Sequence, residues 1–199
     1  MEDTKVVDGR VQRGLRSRNA VLDAILDLLG EGSTLPTAQM VSDRSGVSVR
    51  TIFRLFDDMA SLHQAAAARQ AERLRSLVVP LAGDGPVADR IAALVRNRAD
   101  VYEAISPVRR AAVRLADTSP AIALELGWAH ALFRRQVAGT FARELATAVP
   151  ELLDALDLAT SWEAWERLRT IQALDRDRAA AVVARALTAL LAPAAELLN

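Results

Sequence analysis

The chain has 199 residues, which allows one large domain or two smaller ones, and its 25 basic and 25 acidic residues leave no formal net charge. The absence of cysteine excludes disulfides, thiolate metal sites and cysteine nucleophiles. Because the sequence has neither a signal-peptide core nor an apolar run long enough to cross a bilayer, we expect a cytoplasmic protein without a membrane partner.

The first feature along the chain is a basic N-terminal arm. Five basic residues lie between Lys5 and Ala20, against a single acid, Asp8. This local excess suits contact with phosphate groups, although a solvated and frayed tail would have the same composition.

Helical periodicity dominates the rest of the chain, and no segment shows the alternation of a β-strand. Before residue 80 we predict four helices, over about 18–29, 37–46, 48–55 and 58–79, the first of them capped by Ser17. The run LAGDGP then interrupts the pattern and predicts a domain boundary. Beyond it we predict about five more helices, over about 86–105, 107–116, 120–149, 150–172 and 178–193.

The second and third predicted helices have the spacing of a helix-turn-helix. Gly46 supplies the tight turn between them, and Ser48 is a good N-cap for the third helix. Two helices joined by a short turn that contains glycine are typical of proteins that place the second helix in the DNA major groove.

Two arginines lie on the outer face predicted for the third helix. If Ile52, Phe53 and Phe56 form its buried side, Arg50 and Arg54 face outward as i, i+4 neighbours. Like charges at this spacing cost roughly 0.2–0.5 kcal/mol on a solvated helix, whereas the major groove offers guanine edges and phosphates to both. The alternative is an ordinary exposed face on a helical hairpin.

The segment MVSDRSGVSVRTIFRLFDDMASL resembles the DNA-binding domain of the TetR family of bacterial transcriptional regulators, and NAVLDAILDLLGEG is similar to the first helix of that family. SWEAWERLRTIQALDRDRAAAVVARALTALL resembles the last two helices of many members. The resemblance is specific over residues 17–62. It implies an all-α fold, with an N-terminal three-helix domain and a larger C-terminal helical domain that binds an effector and forms a homodimer. The predicted segments are the arm 1–16, the DNA-binding domain 17–62, a connector helix 63–80 and the effector and dimerisation domain 81–199.

The resemblance also implies the DNA contacts. Val49 and Arg50 are expected to contact base edges, Ser48, Thr51 and Arg54 phosphates or bases, and Thr37 a phosphate. Phe53 belongs to the same expected DNA-binding set. Arg16 and Arg18, with Arg13, would lie along the backbone or in the minor groove. Phe53 lies where the family usually has a phosphate-binding tyrosine, and Met59 where it usually has a lysine, so we expect fewer backbone contacts than in its relatives.

The C-terminal domain carries candidate residues for the effector and for the dimer. Aromatic or polar side chains among apolar ones are expected to line an effector pocket, with ordinary core as the alternative: Tyr102, Trp128, His130, Phe133, Phe141, Trp162 and Trp165. The last helix has an apolar band broader than a monomer usually exposes. The expected dimer interface comprises Leu168, Val182, Val183, Ala186, Leu187 and Leu190.

These features together predict a one-component transcriptional regulator, and a repressor is the preferred interpretation. It would bind palindromic operator DNA as a homodimer at the nucleoid and be released by a small hydrophobic effector. A helical protein-interaction module without specific DNA binding is the alternative. Because the two histidines lack metal-ligand spacing and no glycine-rich loop follows a strand, we expect no catalysis, no cofactor and no metal.

Overall fold

The structure, a computed structural model, describes residues 9–31 and 36–192, and all regular elements in those ranges are helical. The helices are α1 (Gly9–Gly30), α2 (Ala38–Ser45), α3 (Val49–Phe56), α4 (Met59–Leu77), α5 (Val87–Leu115), α6 (Pro120–Thr140), α7 (Ala142–Leu145), α8 (Glu151–Ala159), α9 (Trp162–Glu166) and α10 (Arg176–Leu191). A π-helical turn, Arg167–Ile171, follows α9 directly. The predicted all-α class is confirmed. No described helix combines the length and the apolar character needed to cross a membrane.

The described residues form two compact units, and each unit is assembled from two stretches of chain. Unit 1 comprises the described residues up to Gln70 together with Pro107–Glu125. Unit 2 comprises Ala71–Ser106 together with the described residues from Leu126 onward. Each unit has its own hydrophobic core.

The core of unit 1 is built on α1. The apolar positions of this helix recur every three or four residues, so they share one side, and Val21, Ile25 and Leu29 are all buried. The side chains that cover them from the rest of the unit are Val41, Ile52, Phe56, Leu62, Ala66, Val108 and Ala111.

The core of unit 2 is aromatic at its centre. Tyr102 of α5 meets the edge of Phe133 of α6 with 5.2 Å between ring centroids, and Trp165 of α9 lies 6.2 Å from Tyr102. Aromatic pairs prefer such tilted and edge-on arrangements to a face-to-face sandwich. The aliphatic side chains Leu94, Val137, Leu156 and Leu187 complete this core.

The N-terminal arm differs from its prediction. Helix α1 begins at Gly9, so Ser17 lies inside the helix and is not its N-cap. The residues from 11 to 18 are mostly good helix formers, and they continue the helix past a serine that is only mildly unfavourable in its interior. Within the predicted arm 1–16, residues 9–16 are therefore helical, and residues 1–8 lie outside the described part of the chain.

The helix boundaries predicted at residues 106–107 and after residue 120 were also wrong. Helix α5 continues through Pro107, because Ile105 on one side and Val108 on the other are buried and stabilise both halves. Proline removes one backbone hydrogen bond but does not have to end a helix whose flanks are packed. Further on, α6 ends at Thr140, and the helix predicted from Pro150 is broken at Ser161, which caps α9.

Candidate nucleic-acid interface and ligand-binding unit

Two side-chain caps and one glycine turn define the α2–α3 pair. The Thr37 side chain accepts a hydrogen bond from the Met40 amide at 3.3 Å and so caps α2. Gly46 ends α2 with a φ of 70°, a conformation that residues with a Cβ rarely adopt. The Ser48 hydroxyl oxygen accepts from the Thr51 amide at 3.3 Å and caps α3. The helix-turn-helix geometry predicted from this spacing is present.

Arg18 connects α1 to the C-terminal end of α3. Its guanidinium lies over the Phe56 ring, 4.4 Å from the centroid, and donates a hydrogen bond to the Leu55 carbonyl at 3.2 Å. The side chain is half-buried, whereas Arg13 and Arg16, earlier in α1, are exposed. Arg18, predicted to contact the DNA backbone, is thus engaged in holding α3 against α1.

The exposed face of α3 contains an aromatic ring that was predicted to be buried. Phe53 is 39% exposed, because Ile52 and Phe56, four residues apart, form the buried side without it. Arg50, Phe53 and Arg54 follow the i, i+3, i+4 spacing of a single helix face, and all three are exposed. The sequence prediction that Phe53 packs inward was therefore wrong.

The two arginines of this face have no acidic partner within the described residues, since neither occurs in any ion pair found there. Arg44 on α2 provides the contrast: it donates two hydrogen bonds to Glu31, at 2.9 and 2.7 Å. Those bonds hold the pKa of Glu31 below its usual value. Arg50 and Arg54 thus leave a positive, solvent-facing patch with one aromatic ring in it.

The remaining predicted DNA contacts lie around this face. Thr37 and Ser48 are exposed at the N-termini of α2 and α3, while Val49 and Thr51 are half-buried. The Ser48 and Thr51 hydroxyls are 3.0 Å apart and hydrogen-bonded to each other. All these residues belong to unit 1.

Two aspartates form the turn after α3. Asp57 has a φ of 59° and a ψ of −57°, and the Asp58 amide donates to the Phe56 carbonyl across it at 2.6 Å. This tight turn is strained for a residue with a side chain. The Asp58 carboxylate accepts from the Ser61 amide at 2.7 Å, and this backbone hydrogen bond lowers the pKa of Asp58. Asp58 therefore caps α4, and both acids lie close along the chain to the arginine-bearing helix.

In unit 2, most of the predicted effector residues are core. The buried ones are Tyr102, Phe133, Phe141, Trp162 and Trp165. Trp128 is half-buried beneath Arg75, whose guanidinium lies 4.2 Å from its ring centroid. His130 is exposed, with its Nε2 3.4 Å from an Asp157 carboxylate oxygen.

The polar atoms of the buried aromatics are all hydrogen-bonded. The Tyr102 hydroxyl donates to the Thr160 carbonyl at 2.7 Å, and Trp162 Nε1 donates to Ser106 Oγ at 2.9 Å. Trp165 Nε1 donates to Glu103 at 3.1 Å. Arg169 also donates to Glu103, at 2.7 Å, and this bond lowers the pKa of that carboxyl.

Unit 2 contains a groove and a narrow cleft. The groove has a volume of about 280 Å³ and is lined by Val78, Val79, Pro80, Leu81, Leu132, Arg135, Gln136, Gly139 and Thr140. The cleft has no room for a water molecule and is lined by Val95, Arg98, Tyr102, Thr160, Ser161, Trp165 and Val183. Tyr102 and Trp165 are the predicted effector residues that line the cleft, and none of the predicted residues lines the groove. Sequence reasoning did not single out Arg98 and Gln136, since charged and amide residues are mostly exposed and only the fold buries these two.

Half of the predicted dimer interface is buried in the core of unit 2. Leu168, Val183 and Leu187 are between 0% and 7% exposed, so they cannot belong to an exposed face. Their burial follows from the packing of α10 against α8 and the turn after α9. Val182 and Leu190 are exposed, and Ala186 is half-buried.

Leu158 on α8 is an exposed apolar residue that the sequence analysis did not single out. It is 71% exposed, whereas Leu156, two residues earlier, is fully buried. Two residues on a helix differ by about 200° around its axis, so this separation could have been read from the period alone.

Three solved structures are similar to this chain. A candidate TetR-family transcriptional regulator from Rhodococcus sp. has a TM-score of 0.66 and 18% identity, over 88% of this chain and 99% of that one. A TetR-family transcriptional regulator from Streptomyces coelicolor has a TM-score of 0.67 and 19% identity, over 88% and 82% of the two chains. GusR of Salmonella enterica has a TM-score of 0.62 and 18% identity, over 94% and 99%.

Neither a protein-family model nor a curated protein sequence matches the chain. The structural similarity nevertheless extends over both units, since it covers 88% or more of this chain in each case. The chain therefore has the fold of TetR-family transcriptional regulators.

Proposed function

We propose that this protein is a transcriptional regulator that binds operator DNA through α3. The observation that carries this proposal is the face formed by Arg50, Phe53 and Arg54, exposed and without an acidic partner in the described chain. Arginine pairs bidentately with guanine or contacts a phosphate, and an aromatic side chain makes apolar contact with the thymine methyl group. Arg13, Arg16 and the exposed caps Thr37 and Ser48 add phosphate contacts.

The working form in this proposal is a homodimer that acts as a repressor. Two copies of α3 would meet successive major grooves about 34–36 Å apart on a palindromic site. We propose that the exposed apolar residues of α8 and α10, Leu158, Val182 and Leu190, belong to a face that pairs with itself across a two-fold axis, as cyclic dimers do. No catalytic step is part of this proposal.

Release from DNA would follow the binding of a small effector in unit 2. To weaken operator affinity 100-fold, the effector must favour the non-binding conformation by about 2.7 kcal/mol, which lies within the usual range of coupling energies. Helix α4 is the proposed lever, because it contributes residues up to Gln70 to unit 1 and residues from Ala71 to unit 2. Contact of the effector with the predicted aromatic residues remains a prediction.

The decisive experiment selects bound fragments from the source genome and measures their affinity for the wild type, Arg50→Ala and Arg54→Ala. We expect Arg50→Ala to reduce affinity by roughly 5- to 150-fold and to relax the base preference at one position, since a bidentate base contact is worth about 1–3 kcal/mol. Arg114→Ala is the matched control, because Arg114 is an exposed arginine of unit 1 outside the helix-turn-helix.

Two results would overturn the proposal. One is the absence of any enriched fragment, which is what a helical protein-interaction module would give. The other is an Arg50→Ala, Arg54→Ala double variant that binds the selected DNA as tightly as the Arg114→Ala control.

A further inference from the structure

Arg98 of α5 is a buried arginine that contacts only neutral groups. The residue is 1% exposed. Its Nη1 donates to the Gln136 amide oxygen, and its Nη2 donates to the Phe133 carbonyl at 2.9 Å. The guanidinium also lies 4.5 Å from the Phe133 ring centroid and 5.9 Å from that of Tyr102. Its Nε is buried without an acceptor.

The charge of Arg98 therefore has no ionic partner within hydrogen-bonding distance among the described residues. Asp157 attracts it only from a distance, and that carboxylate is already bound by Arg134 at 3.3 Å and lies beside His130. Burial accordingly lowers the pKa of Arg98. A guanidinium remains protonated in proteins, so this core contains a positive charge that forms no ion pair among the described residues.

Gln136 stands between this charge and the groove of unit 2. Its side chain lines the groove, and its amide oxygen accepts from Arg98. Its Nε2 donates to the Val79 carbonyl and, at 3.1 Å, to Asn97. A single side-chain amide thus covers the buried charge on the side where the groove provides space.

The groove itself is suited to an apolar anion. Apolar side chains make up most of its lining, its one charged residue is Arg135, and no acid lines it. The groove volume of about 280 Å³ lies just below the range of roughly 300–1,000 Å³ typical of ligand pockets, so the groove suits a small molecule.

We propose that this groove binds a small monocarboxylate with an apolar body, and that the carboxylate replaces the Gln136 amide oxygen at Arg98. The exchange turns a neutral hydrogen bond into a bidentate ion pair, the geometry that a guanidinium favours. Arg135 attracts the anion to the groove from solvent. This proposal rests on the proposed effector function of unit 2 and names the chemical class of the effector.

The test is calorimetric titration of the full-length protein with octanoate and phenylacetate, each compared with its primary amide. We expect both acids to bind at least 10-fold more tightly than the amides, and Arg98→Met, which keeps the length of the side chain, to abolish that preference. Gln136→Ala removes the competing amide oxygen, so we expect it to raise the affinity for the acids and not for the amides. The Gln136→Ala result keeps the test decisive if Arg98→Met fails to fold.

Equal binding of acids and amides overturns the proposal, and so does an acid preference that survives in Arg98→Met. Loss of the preference in Arg135→Met alone would place the carboxylate at the groove mouth and overturn the assignment to Arg98. DNA affinity measured on the same samples separates the two claims. An acid that binds without releasing DNA contradicts only the effector function, whereas DNA binding that is intact in a protein that binds no acid contradicts only the carboxylate site.

Discussion

His63 of α4 is held in unit 1 by apolar neighbours. Its Nε2 is buried without a hydrogen-bond partner. The other residues that line the small cavity beside it are aliphatic: Leu29, Ala66, Ala67, Val108, Ala111, Ala112, Leu115 and Ile122. Burial lowers the pKa of His63, and a hydrogen bond with the Met59 backbone offsets only part of that effect. The folded protein therefore takes up a proton at this histidine less readily than the unfolded chain does.

His63→Leu should remove a pH dependence of stability. The folded-state pKa of His63 lies below the unfolded value of about 6.5. The free energy of unfolding of the wild type is therefore highest, as far as His63 is concerned, above pH 6.5, and it decreases as the pH falls from there toward the folded-state pKa. The leucine variant should be more stable by about 1–3 kcal/mol at pH 7.5, the cost of a buried unpaired polar atom, and its advantage should grow at pH 5.5. Urea unfolding at pH 7.5, 6.5 and 5.5 measures both effects.

The control for this prediction is the other histidine. His130 is exposed in unit 2, so His130→Gln should keep the wild-type loss of stability between pH 7.5 and 5.5. If His63→Leu shows the same loss as the wild type, the burial of His63 is not its cause.

At the candidate nucleic-acid interface, some residue positions were predicted correctly and others were not. The Ser48 cap, the turn glycine Gly46 and the exposed positions of Arg50 and Arg54 follow from local chemistry and were predicted correctly. Phe53 was misplaced because an eight-residue helix offers two plausible buried faces, and contact with α1 decides between them. The contact of Arg18 with Phe56 was not foreseen for a similar reason, since only the fold brings Phe56 beneath it.

At the scale of helices, α8 and α10 carry the proposed dimer face. Leu158→Lys with Val182→Lys places two charges on it, and we expect a monomer in sedimentation velocity together with a loss of operator affinity. Desolvating an unpaired lysine at an interface is strongly unfavourable. Both side chains are well exposed within the single chain, so the folded helical content should stay unchanged.

Leu124→Lys controls for charge alone, because Leu124 of α6 is 75% exposed and belongs to unit 1. That variant should sediment as the wild type does. A double variant of α8 and α10 that remains dimeric would place the interface elsewhere on the molecule.

Helix existence was predictable from the period of apolar residues, whereas helix boundaries were less so. Pro107 and Ser17 are residues that often begin or end helices, yet here both lie inside one. Conversely, the break after Thr160 was missed, although Ser161 is a favourable N-cap residue and caps α9. The Thr160 carbonyl at this break accepts a hydrogen bond from Tyr102. At Pro107 the packing of both flanks outweighs the local preference, whereas at Ser17 the helix-forming residues around it continue the helix.

At the scale of the whole molecule, unit 1, which carries the proposed DNA-binding face, is not a contiguous segment. Val108 and Ala111 of α5 are buried in the same core as Ile25 and Ile52. A fragment of residues 1–80, which contains the predicted DNA-binding domain and connector, lacks both side chains. We therefore expect it to melt without a cooperative transition when followed by circular dichroism, because its core stays partly uncovered.

A second fragment serves as the comparison, with residues 1–70 joined through a glycine-serine linker to residues 107–125. It contains both stretches of unit 1 and should melt cooperatively. If the 1–80 fragment melts as sharply as the linked one, α5 does not complete the core.

The two units alternate along the chain, and this order determines when unit 1 can fold during synthesis. A ribosome that adds about 5–20 residues per second needs about 3–11 s to make the stretch from residue 71 to residue 125, which completes unit 1. During those seconds the apolar side chains of α1 to α4 are not yet covered by Val108 and Ala111 of α5. Unit 1, which carries the proposed DNA-binding face, can therefore complete its core only after more than half of the chain has been made, and until then its uncovered leucines are available to chaperones.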